Sequence, residues 1–289
     1  MTLEEVRKNI DRVDGQIREL FIERMGLAEQ VARIKAQTED AIYKPEREAA
    51  ILEKQSKNMD PHLVKEYKAL IKRIMEVSRK YQYGRTLELR NCFPFQFEAE
   101  EKLPEAVGIC CAEMYICTEY PREKLYMADS YQEIAGMLQN GMVDAGMGII
   151  EEVGHSVSDT LNTMLATYHL YINRCRIVED RHSKKKVVEF SRHLVVRPED
   201  NRVKLVFVCP NRSGMLGSIL SMIADYGVNV TEIHSMPYTD GEDWNYRFFV
   251  ELGINMLGDE AKALVFQLSE ETQDMQILGS YFCEGDFIG

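Results

Sequence analysis

The sequence predicts a multidomain protein with three parts: an all-α bundle, a reduced mixed α/β lobe, and an α+β sandwich at the C-terminal end. Three observations carry that prediction. An aliphatic seam with a coiled-coil-like repeat runs through the first 35 residues. Near residue 84 the pattern changes from long helical periodicity to short strands and helices. From residue 203 onward the elements follow a β-α-β-β-α-β order. At 289 residues the chain is too long for one small core. The expected divisions are 1–84, 85–200 and 201–289.

Read in alternating steps of four and three, the seam is Val6, Ile10, Val13, Ile17, Leu20, Arg24, Leu27, Val31 and Ile34. A repeat averaging about 3.5 residues is that of a long helix packed along one stripe. No proline interrupts it before Pro45. Arg24 is the exception in the stripe. A buried guanidinium needs an anionic partner, because an unpaired buried charge costs several kcal/mol or more. Lys35 lies about three turns on and projects from nearly the same face. Two readings follow: a core ion pair with a glutamate of another helix, or a pocket for an anion. Pro45 suits the first turn of a second helix running to about Lys57. Asn58 to Pro61 form a turn, and a third helix is expected from about His62 to Tyr83. Three helices of such unequal length cannot bury the long one's seam in one compact chain, which points to an intertwined dimer.

Composition narrows the function classes. Hydrophobic content of 45% and charged content of 28% are those of a globular protein. A net charge of −12 argues against a nucleic-acid partner. No apolar run reaches the ~18 residues a membrane span requires. The polar, acidic N-terminus is unlike a signal peptide, so a cytoplasmic location is expected. The seven cysteines are odd in number, scattered and without a CxxC, which fits reduced thiols better than disulfides or a metal site. In so acidic a chain, Arg7, Arg24, Lys35 and Arg47 would have to attract an anion locally.

The pattern RxxIDxxDxxIxxLxxER, followed by VARIK, PERE and SRKYQ, resembles the all-helical chorismate mutase family across residues 1–83. The resemblance implies a dimeric enzyme that converts chorismate to prephenate without a cofactor. It implies substrate contacts at Arg7, Arg24, Lys35, Arg47, Glu48, Ser78 and Gln82. Of these, Lys35, Gln82, Arg24 and Glu48 are expected to act on the reacting groups. Lys44 departs from the family, which often has Asp there. Arg7 precedes Arg24 by about 25 Å of helix axis, so both cannot reach one small molecule from a single straight helix. Arg7 would serve the pocket of a second copy. The rearrangement is pericyclic and needs no base or nucleophile. It needs a dianion held in its reactive shape, and donors for the charge that grows on the ether oxygen. Arginines suit the carboxylates. Lys35 and Gln82 would serve the ether oxygen, Glu48 the ring hydroxyl, and Arg47 would line the site and hold Glu48.

Residues 84–200 read first as irregular, then as α/β. SYQEIAGMLQNG is expected as a helix ending at Gly141, VDAGMGII as a buried strand, DTLNTMLATY as a helix and HLVV as a strand. Lys184, Lys185 and Lys186 read as a solvated turn. The segment resembles part of a prephenate dehydratase. The family's Pro-Ile-Glu-Asn is matched by Ile149-Ile150-Glu151-Glu152, and its Thr-Arg-Phe by Ser191-Arg192-His193. Only a short run separates LYINRCRIVE from VVEFSRH, where that family inserts a second lobe. An enzyme that closes two lobes on its substrate loses its cleft when one is absent. The segment is therefore expected to be a remnant serving structure or coupling.

Residues 203–284 order as a ferredoxin-like sandwich and resemble an ACT regulatory domain of the kind attached to prephenate dehydratases. The family's Gly-Ala-Leu-Val becomes Gly214-Met215-Leu216-Gly217, and its Glu-Ser-Arg-Pro becomes His234-Ser235-Met236-Pro237. The resemblance implies phenylalanine as effector, near Gly214, Met215, Leu216, His234 and Ser235. Pairing of dimers into tetramers through these domains is left open. The leading expectation is a regulated chorismate mutase. The alternatives are a bifunctional mutase–dehydratase, and a regulatory subunit whose bundle serves to dimerise.

Overall fold

The computed structural model describes residues 2–91, 93–99, 103–152, 157–179, 183–240 and 243–284. The chain divides into two compact units, Met1–Phe93 and Pro94–Gly289. The first is helical: α1 (Leu3–Thr38), α2 (Pro45–Ser56) and α3 (Val64–Arg90). A capping box starts α1. The Glu5 amide donates to the Thr2 hydroxyl, and the Glu5 carboxylate accepts from the Thr2 amide. Helix α2 opens on Pro45, whose missing N–H costs nothing in a first turn.

Helix α3 continues past the expected end near Tyr83, so GRTLELR is helical rather than irregular. Arg85 pairs with Glu29 of α1 at 3.3 Å, and Arg90 donates to the Lys35 carbonyl at 3.0 Å. These contacts with α1 carry the helix across Gly84.

The aliphatic seam of α1 is not the face that packs on α3. Ile10, Ile17 and Leu20 are 52%, 48% and 65% exposed in the single chain. The buried positions of α1 are Ala28, Ala32 and Lys35. Two alanines one turn apart let α3 approach with Met75, Ser78 and Tyr83, while Ile10, Ile17 and Leu20 are left outward.

The second unit is built on one nine-stranded sheet in the order β2-β1-β3-β5-β4-β9-β6-β8-β7. Strands β1 (Val107–Cys110), β2 (Leu125–Ala128) and β3 (Ala145–Glu152) are parallel, and β4 (Tyr171–Glu179) and β5 (Lys184–Ser191) form an antiparallel hairpin beside β3. Strands β6 (Arg202–Pro210), β7 (Asn229–Asp240), β8 (Asp243–Gly253) and β9 (Gln273–Tyr281) form the C-terminal antiparallel part. Ile172 of β4 meets Gly279 of β9 in parallel and joins the two parts. A Cβ at Gly279 would collide with the Ile172 carbonyl oxygen, so the join requires glycine there.

Helices α4 (Tyr131–Gln139) and α5 (Asp159–Tyr168) cover one face. Ile134, Leu161 and Leu165 share a core with Phe190 of β5 and with Val206 and Phe249 of the C-terminal part. Helices α6 (Met215–Asp225) and α7 (Asp259–Glu271) complete the C-terminal β-α-β-β-α-β order.

Two expectations for this unit are corrected. HLVV is not a strand: within it Val195 makes an isolated bridge to Glu98, because the Asn173 side chain takes the Val195 amide. Lys184–Lys186 begin β5 instead of forming a solvated turn, and Lys186 is 2% exposed. Glutamates supplied by β7 and β8, far along the chain, make that burial tolerable, as described below.

Candidate active site

The helical unit holds a cavity of about 250 Å³. Arg24, Ala28 and Lys35 reach it from α1, Arg47 and Glu48 from α2, Ser78, Arg79 and Gln82 from α3, and Lys44 from the connector before α2. Six of the seven expected substrate-contacting residues thus line one space. On α3 the positions Met75, Ser78, Arg79 and Gln82 follow i, i+3, i+4, i+7, so one face of the helix supplies them all. Arg7 is exposed and is not among the lining residues.

Arg24 donates to the Ser78 hydroxyl and to the Ile74 carbonyl, the latter at 3.3 Å. Ser78 in turn donates to the Ile74 carbonyl at 2.7 Å. Lys35, 7% exposed, donates to the Ile42 carbonyl at 2.9 Å. The partners of both cations are a hydroxyl and carbonyls, not carboxylates. Burial pulls Lys35 below its ordinary value; Asp40 and Glu48 oppose that shift, while Lys44 and Arg47 add to it. Burial lowers Arg24 too, opposed by Glu48. An anion entering this space would restore both. Gln82 donates to the Ser78 carbonyl at 3.2 Å, which leaves its second N–H to give, and its Oε1 is buried without a partner.

The salt bridge to Glu48 comes from Arg79, whose Nη1 lies 2.5 and 2.6 Å from the two carboxylate oxygens. The sequence reading gives that role to Arg47 and passes over Arg79. The signal was the spacing of Arg79 from Met75 and Gln82 on one helical face. Lys44, the position that departs from the resembled family's Asp, pairs with Asp40 at 2.6 Å.

The expected effector residues are placed less coherently. Gly214 takes φ +83° as the N-cap of α6, and Met215 and Leu216 form the first turn. His234 lies 2.5 Å from an Asp159 oxygen of α5 and stacks on Phe249. Neighbouring strand residues face opposite sides, so Ser235 of β7 points away from that contact.

The same side of the sheet carries buried charges that the sequence reading missed. Lys186 reaches Glu251, and Glu232 at 3.7 Å. Lys204, fully buried, pairs with Glu232 at 2.7 Å. Burial alone would raise Glu251, but Lys186 and Lys204 outweigh it and hold the carboxyl at about 2. Among the described residues no group of His, Cys, Asp and Glu could hold a metal ion. No described helix is long and apolar enough to cross a membrane.

Residues 6–83 match the chorismate mutase type II family model, and residues 203–269 match the ACT domain model. The chain is 23% identical to a bifunctional chorismate mutase/prephenate dehydratase of Aquifex aeolicus over 354 positions, covering 96% of this chain and 97% of the relative. That alignment is longer than this chain, so the relative carries stretches the chain lacks. A chorismate mutase of Methanocaldococcus jannaschii is 44% identical over 64 residues, covering 22% of this chain and 65% of the relative. Among solved structures, the prephenate dehydratase of Arthrobacter aurescens in complex with L-Phe aligns with TM-score 0.51 and 14% identity, over 61% of this chain and 90% of its own. A quorum-quenching acylase, GqqA, aligns with TM-score 0.53 and 18% identity, over 61% and 94%. At such identities the likeness is one of fold, and these two proteins are named for different chemistries. The chain carries a chorismate mutase type II domain, a prephenate-dehydratase-like α/β fold and an ACT domain.

Proposed function

We propose that this protein is a chorismate mutase that rearranges chorismate to prephenate in the cavity of its helical unit. One observation carries the reading: Arg24 and Lys35 face an open cavity, and among the described residues no carboxylate is salt-bridged to either. Two desolvated cations of this kind are suited to a dianion. Arg24, with Ser78, takes one substrate carboxylate, and Arg7 of a second copy takes the other. Lys35 and the second N–H of Gln82 meet the ether oxygen, where negative charge grows as the C–O bond breaks. Glu48 accepts from the ring hydroxyl, and Arg47 lines the site. Nothing in the reaction asks for a proton transfer, and the cavity offers no nucleophile–base pair.

The exposed stripe of α1 supports the dimer. In the C-terminal domain, phenylalanine is the proposed effector, near Gly214, Met215, Leu216, His234 and Ser235. The relative solved with L-Phe supports that choice.

A second reading, a mutase that also dehydrates prephenate, draws on the similarity along nearly all of the Aquifex aeolicus enzyme. Against it, β4 and β5 form a direct hairpin where a second lobe is expected. In addition, Ser191 accepts from Asn173 at 2.9 Å and from the His193 amide at 3.2 Å. One assay decides: purified protein with chorismate, following prephenate and phenylpyruvate with and without phenylalanine. Prephenate alone supports the mutase, and phenylpyruvate the second reading. No turnover overturns both.

A further inference from the structure

Glu48 is the only acid among the described residues lining the cavity, against five cations: Arg24, Lys35, Lys44, Arg47 and Arg79. An unrestrained carboxylate there would swing toward whichever cation was least solvated. Each alternative would take a cation away from an incoming dianion. The structure removes that freedom. Arg79, 8% exposed, straddles both Glu48 oxygens with a single nitrogen, Nη1, at 2.5 and 2.6 Å. Its guanidinium carbon lies 4.7 Å from the centre of the Tyr43 ring in the connector before α2. The cation is therefore held between an aromatic face and α2 and cannot follow the substrate. Arg79 sits one residue from Ser78 and three from Gln82, so the helix that presents those two groups also fixes Glu48.

We propose that Arg79 is a positioning residue for the rearrangement: it aims Glu48 at the substrate hydroxyl and keeps that carboxylate from capturing the carboxylate-binding cations. The inference rests on the mutase reading above. It adds to that reading a residue that acts through Glu48 rather than on the substrate.

The test is a double-mutant cycle on the full chain with Arg79→Gln, Glu48→Gln and the pair combined, read as kcat, KM and melting temperature. Arg79→Gln alone is expected to lower kcat/KM by about tenfold or more. In the Glu48→Gln background the same change should cost about twofold or less, because the group being aimed is already gone. Arg79→Lys, which keeps the charge and loses the stacked plane, should fall between wild type and Arg79→Gln. Equal losses in both backgrounds would mean that Arg79 meets the substrate itself, and would overturn the proposal. So would a fall in melting temperature with kcat and KM unchanged. A wild-type protein that turns over no chorismate would overturn the mutase reading and this role with it. Turnover by wild type with additive variants would overturn this role alone.

Discussion

In the helical unit, Lys35 is 7% exposed and gives its ammonium to a carbonyl beside a cavity. In the sheet unit, Lys186 is 2% exposed and gives its ammonium to Glu251, which also accepts from Tyr281 and from Thr231, the latter at 2.8 Å. Both lysines are desolvated, and burial pushes both toward losing their proton. For Lys35 that push prevails. For Lys186 the neighbouring Glu251, Cys175 and Glu232 reverse it. On the proposed function, the difference separates a cation available to a ligand from one neutralised for the fold. Buried charge alone does not mark a site.

The comparison can be broken from either side. Removing Lys186 leaves Glu251 buried without its nearest cation, so Lys186→Met should cost about 3–5 kcal/mol of stability. Denaturant unfolding of the full chain would show it, and a neutral result would mean that the cluster is not structural. Adding Glu251→Gln to that variant should recover part of the loss, because it removes the stranded charge. Lys35→Ala should behave in the opposite way. Turnover should drop by about 10²–10³-fold, with the melting temperature unchanged or raised because an uncompensated buried charge is gone. An active, well-folded Lys35→Ala protein would refute its role.

A subtler test concerns Arg7, the one expected contact absent from the cavity. Arg7→Ala and Arg24→Ala should each be inactive alone. Unfolded and refolded together in equal amounts, they should recover about a quarter of wild-type activity, since half the dimers are mixed and each has one intact site. No recovery would argue against a shared pocket.

The smallest effects are in pH dependence. Lys35 is lowered from its ordinary value of 10.5, so the alkaline fall in kcat/KM should begin below that pH, and Lys35→Arg should move it upward. Glu251 is lowered from 4.5 to about 2. Its contribution to stability is therefore complete above about 4.5 and lost as pH falls toward 2. Acid unfolding of wild type should steepen across that window, and Glu251→Gln should flatten it.

Much of this was legible beforehand. The seam period, Pro45, the NMDP turn and the β-α-β-β-α-β order follow from local rules, and α1, α2 and the C-terminal elements stand where those rules place them. The site residues were readable as a set because Arg24 broke an aliphatic stripe and because Ser78 and Gln82 share a helical face. Three features were not readable. The N-terminal part of the stripe, with Ile10, Ile17 and Leu20, faces outward in the single chain, because α1 packs on α3 through its narrow alanine face. Arg79 reads as one of two adjacent cations in SRKYQ, because its partner Glu48 is 31 residues away. Lys186 looked solvated in a run of three lysines, because its acids lie 46 and 65 residues further along.

The sequence by itself determined the long helices, the order of the C-terminal elements and which side chains supply cations, because periodicity, capping and residue type act over a few neighbouring residues. Only the tertiary structure decided which of those cations is neutralised and which is left facing a cavity. That depends on the desolvation of each group and on carboxylates brought from distant strands and helices, and no local pattern encodes either.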